Sequence, residues 1–145
     1  MSKKSKELGL TVIDTHMGLF DYTIRCVFGE RDNAEQYVAY VFEEKETDHY
    51  EGFNRGYEAR GTCYFRRGYV PIVWLPRPPE TPREHATFAH EVIHAVHHLF
   101  EWSATPTIRD TEEVFAHSVA HVIANVYTKL ELAQRLPQTG GQDEQ

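Results

Sequence analysis

The chain has 145 residues, 41% of them hydrophobic and 26% charged, the balance of an ordinary globular protein with enough length for one core without covalent staples. A net charge of −7 argues against a broad nucleic-acid surface. No apolar run approaches the ~18 residues of a membrane span.

The expectation is a single domain over residues 1–145, with polar tails at 1–7 and 137–145. Lys3, Lys4 and Lys6 are followed by Glu7 and Gly9 rather than by an apolar stretch, which does not read as a secretory signal. Cys26 and Cys63 make no C-x-x-C pair. They read as buried, reduced thiols of a cytoplasmic protein, with a lone disulfide as the other option. Arg60, Arg66 and Arg67 read as a solvated strand face.

Leu8 to Asp14 is a short apolar segment. Asp21 to Phe28 alternates β-branched and aromatic residues with polar ones, which predicts a half-buried strand ended by Gly29. Asp32 reads as an N-cap with Glu35 as capping-box partner. Tyr37, Val38, Val41 and Phe42 then recur at helical spacing over Ala34 to Glu44. The charged, glycine-containing stretch 45–60 reads as a loop. Gly61 to Arg67 and Tyr69 to Leu75 predict two strands joined around Gly68. Pro71 lacks the N–H of a central ladder, so the second is expected at an edge.

Thr81, Pro82 and Glu84 form a helix start with proline at its first position. The helix is expected over Pro82 to Trp102, and a second over Asp110 to Leu136, capped by Asp110 or Thr111. Strands with one helix, followed by two helices, predict an α+β domain.

Of nine histidines, seven lie between His85 and His121. His90, Glu91 and His94 form an H-E-x-x-H pattern inside the predicted helix. Residues four apart share a helix face, so His90 and His94 can present two imidazoles to one zinc ion, while Glu91 can act as general base on a metal-bound water. Glu113 in the first turn of the next helix is the candidate third ligand. His117 and His121 follow it one and two turns on. The other reading of this stripe is a solvated face.

H-E-V-I-H followed by E-V-F-A-H from Glu113 resembles the gluzincin branch of zincin metallopeptidases, over roughly residues 69–127. The resemblance implies a small zincin-like α+β domain. Its sheet would be mostly antiparallel, with an edge strand, here Tyr69 to Leu75, packed on the motif helix and a second long C-terminal helix behind. It implies Zn2+ held by His90, His94 and Glu113, peptide-bond hydrolysis with Glu91 as base, and a protein or peptide substrate. No nucleic acid or membrane is expected. His117 stands where the family usually has an aspartate, which makes it a candidate catalytic residue or ligand. His117, His121, Tyr127, Tyr50, Tyr57 and Arg60 are candidates for stabilising an oxyanion. His97 and His98 read as surface or supporting residues, and His85 near the helix start as a cap or a residue lining the cleft, with a surface residue as the other reading. The metzincin pattern fits less well, because His97 and Phe100 stand where it needs Gly and His. SprT-like proteases share H-E-V-I-H-A but not a glycine-flanked third histidine. The alternative to an enzyme is a binding or regulatory protein on the same scaffold, with or without metal.

Overall fold

A computed structural model describes residues 2–18, 21–44, 60–103 and 111–135. The elements, in chain order, are α1 (Lys3–Glu7), β1 (Thr11–Met17), β2 (Tyr22–Phe28), α2 (Arg31–Val41), β3 (Thr62–Tyr64), β4 (Ile72–Leu75), α3 (Pro82–Trp102) and α4 (Glu112–Arg135). The strands form one sheet in the order β1-β2-β4-β3. β1 and β3 run antiparallel to their neighbours, while β2 and β4 run parallel.

This corrects the expected sheet. It is mixed, not mostly antiparallel, and β4 is an interior strand hydrogen-bonded on both sides. Pro71 does not make an edge because it sits just before the first residue of β4, where no ladder N–H is required of it. Its carbonyl still accepts the Arg25 N–H at 3.0 Å. The edge beside β4 is the short strand β3.

All four residues of β4, Ile-Val-Trp-Leu, are buried, as expected of a strand covered on both faces. Val73 and Leu75 join Ile13, Ile24, Cys26 and Phe28 on the face packed by α3 and α4, where Phe88, Val92, Val96, Leu99 and Val122 meet them. Ile72 and Trp74 face the other way, with Val27, and pack with Tyr37, Val38 and Phe42 of the α2 region. The coarse α+β reading holds, with helices on both faces of the sheet.

Local signals account for the helix ends. In α3, Thr81 accepts the Glu84 N–H and Glu84 accepts the Thr81 N–H, a complete capping box with proline following the cap. α2 starts earlier than its expected Asp32 cap: Glu30 is the capping residue and makes no side-chain bond, and Glu35 pairs with Arg31 at 3.1 Å. The expected polar tail at residues 1–7 instead carries α1, capped by Ser2 and anchored by the buried Ser5. The expected 45–60 loop up to residue 59, the Asp110 cap and the tail 137–145 lie outside the described residues.

Both cysteines are free. In the sheet register each lies opposite Val73, one on either side of β4. Two strand spacings, about 9.5 Å, separate them, too far for a disulfide.

Thr81→Ala is expected to cost about 1 kcal/mol of stability in urea unfolding, the usual loss for an N-cap hydroxyl. Backbone N–H bonds from Glu80 and Thr81, then Arg77, hold the Glu84 carboxyl down at about 2. Its contribution is therefore present above the ordinary carboxylate value and lost as pH falls through about 2. In Glu84→Gln, acid unfolding between those limits should flatten.

Candidate functional site

α3 places three kinds of surface around its axis. The side carrying Phe88, Val92, Ala95, Val96, Leu99 and Phe100 is buried. A second side faces β3. The outer side leaves His90, Ile93 and His94 exposed.

His90 and His94 do converge. Their Nε2 atoms are 3.0 Å apart, with the rings nearly perpendicular. Glu91 does not share their exposure. It lies on the β3 side, where burial raises its pKa, while the nearby imidazoles and the Cys63 backbone N–H hold the rise back. A Cβ at Gly61 would stand 3.3 Å from Glu91 Cγ and 2.8 Å from Thr87 Cγ2. Glycine is therefore what lets the chain entering β3 approach α3 so closely. The Cys63 thiol on β3 is pushed up to about 12, chiefly by burial and then by the Glu91 charge, which makes it an unreactive thiol.

The remaining predicted residues are elsewhere. Phe100 packs edge-on against Phe115 at 5.3 Å, and Phe88 against Tyr127 at 5.7 Å. α4 thus returns antiparallel to α3, and each step along one helix is a step back along the other. That register places His121 level with His94, Asn125 level with His90, and Glu113 level with Trp102. Trp102 lies about eight residues beyond His94, about 12 Å along the axis. Glu113 is 88% exposed and pairs with His117, itself 82% exposed, at 3.5 Å. His121, at the right level, points instead to the His16 carbonyl on β1, at 3.2 Å.

Among the described residues, no three His, Cys, Asp or Glu side chains form a group that could hold a metal ion. Among the described residues the two converging imidazoles have no third protein donor, and tetrahedral catalytic zinc needs three. The expected Zn2+ site of His90, His94 and Glu113 is therefore corrected, and with it the gluzincin-like identification and the zinc-metallopeptidase activity. The helix return was foreseen, but its register carries Glu113 past the histidines.

The oxyanion candidates disperse as well. His117 is on the solvent side with Glu113. Tyr127 hydrogen-bonds His85 at 2.5 Å and packs on Phe88. Arg60 is exposed, and Tyr50 and Tyr57 lie outside the described residues. His98 stacks flat on Phe65 at 4.0 Å, its pKa lowered first by burial. His97 pairs with Glu101 at 3.2 Å. The expectations for His97 and His98 as surface or supporting residues fit these places. Asn125 and Lys129, which reach β1 from α4, were not singled out from the sequence. Their signal was the four-residue spacing that they share with His121.

Comparison with protein-family models, with curated proteins and with solved structures gave no match.

Because folded Glu91 holds its proton more tightly than the unfolded chain does, stability falls as pH rises from the ordinary carboxylate range through the raised value. Glu91→Gln removes that loss, and at pH 7 it is expected to melt at or above the wild-type temperature. Chelator treatment is expected to leave the wild-type melting temperature unchanged. A clear drop on chelation would mean that further donors join His90 and His94.

Proposed function

We propose that the chain is a binding or regulatory module that works without turnover, acting as one domain over residues 1–145. The outer side of α3 is its contact surface and a protein or peptide its partner. The observation that carries this reading is the separation of Glu113, paired with His117 in solvent and level with Trp102, from the exposed His90, Ile93 and His94. The third donor that zinc-dependent hydrolysis would need stands apart from the two imidazoles. A rigid helix face remains, with Ile93 45% exposed beside two imidazoles that can donate or accept hydrogen bonds. An apolar anchor flanked by polar groups suits a protein surface better than a small-molecule pocket. The net charge of −7 disfavours nucleic acid as the partner.

Among the described residues no helix is long and apolar enough to cross a membrane. A cytoplasmic location fits the two free thiols.

Two measurements test the reading. A peptide-library digestion read by mass spectrometry should show no cleavage above that of Glu91→Gln; cleavage that this variant abolishes would overturn the proposal. Peptides selected for binding from a displayed library should lose about tenfold or more in affinity against Ile93→Asp. Selected peptides that bind this variant as tightly as wild type would move the contact surface off α3.

A further inference from the structure

The backbone of β2 determines which way β1 presents its polar groups. Arg25 gives its N–H to the Pro71 carbonyl, so it points toward β4. Its partner across the β1–β2 ladder is Asp14, and that pair is therefore one of the non-hydrogen-bonded pairs. It follows that Asp14, and His16 two residues on, direct their own N–H and C=O groups away from β2. An edge strand of this kind is a template for another strand unless something covers it.

α4 covers it. His121 Nε2 lies 3.2 Å from the His16 carbonyl oxygen. Asn125 Nδ2 donates to the Asp14 carbonyl at 3.3 Å and to Thr15 Oγ1 at 2.7 Å. Lys129 Nζ donates to the Asp14 carbonyl at 2.8 Å. The match has a simple origin. Four residues of α-helix rise about 6 Å and two residues of strand about 6.7 Å. Residues at i and i+4 on a helix therefore keep step with two successive outward carbonyls of a strand beside it, here those of His16 and Asp14, and Lys129 one turn further on reaches back to the second of them.

We propose that α4 stands in for a fifth strand, that His121, Asn125 and Lys129 hold the β1 edge closed, and that loss of this stripe lets β1 pair antiparallel with β1 of a second copy. Side-chain complementarity selects the second copy as occupant. A two-fold axis at Thr15 sets Asp14 of each copy opposite His16 of the other, both outward-facing residues, so that a carboxylate acceptor meets an imidazole donor twice across the new ladder. The inference does not depend on the binding role of α3.

The test compares molecular mass by light scattering after size exclusion, with circular dichroism to establish folding. Asn125→Ala/Lys129→Ala removes two of the three guards. Asn125→Asp is a milder, nearly isosteric change that replaces the amide donor with an acceptor. At least one folded variant is expected to double its mass relative to wild type, with self-association about tenfold tighter or more. Adding His16→Pro should return it to the wild-type mass. Proline removes an N–H that only the new ladder would use, since that of His16 does not serve the ladder to β2. Folded variants with the wild-type mass would overturn the proposal, and so would a dimer that His16→Pro leaves intact. If neither variant folds, it is also overturned, because the stripe would then be part of the core closure and not a separable guard.

Discussion

β4 is the constraint on which the rest of the structure depends. Ile72, Val73, Trp74 and Leu75 are all buried, so both faces of the strand need a covering layer and both of its edges need a neighbour. The α2 region supplies one layer and α3 with α4 the other. β2 and β3 supply the neighbours. Once β4 is interior, β3 must be an edge, and the close approach of Gly61 to α3 brings that edge under Glu91. One buried tetrapeptide thus decides which strand is exposed and which side chains of the neighbouring helix can reach it.

The polar residues on the two long helices follow from a second obligation, that backbone groups at a sheet edge find partners. An acidic or histidine side chain on an otherwise apolar helix invites a catalytic explanation. Here several have a nearer one. Glu91 faces the Cys63 N–H on β3, and His121 meets the His16 carbonyl on β1. Asp14 ties the faces of the sheet together. Its carboxylate holds Arg25 through two bonds at 2.7 and 2.9 Å, Arg25 reaches Tyr37 of α2 at 3.2 Å, and its carbonyl takes Asn125 and Lys129 of α4.

What could be read from the sequence divides along physical lines. α3 was legible to its last residue because its signals are local: Thr81, Pro82 and Glu84 sit next to one another, and the apolar face repeats every turn. The strands were legible as strands but not in their order. Pairing of β2 with β4 across α2 is a non-local fact, and Pro71 pointed the wrong way because its meaning depends on whether it lies inside the strand or one residue before it. α1 was missed because five polar residues carry no periodicity; its anchor is the burial of Ser5. At the candidate site, the convergence of His90 and His94 was legible, being helix geometry alone. The place of Glu113 was not. It depends on the register of two helices, set by Phe100 on Phe115 and Phe88 on Tyr127, and no spacing within α4 encodes it.

The same geometry explains why the α4 stripe splits into two halves. Four residues turn a helix by about 400°, so a row at that spacing drifts by about 40° per step. Glu113 and His117 fall on the solvent side of that drift and pair with each other. His121, Asn125 and Lys129 have turned far enough to reach β1. A row that looks continuous in sequence is therefore two surfaces in space, one facing water and one holding a strand. The histidines of α3 avoid this fate because His90 and His94 are a single step apart, with too little drift to separate them. Their convergence is a property of the helix itself. A metal centre needs further donors from elsewhere in the fold, and α4 has turned its nearest candidates to β1.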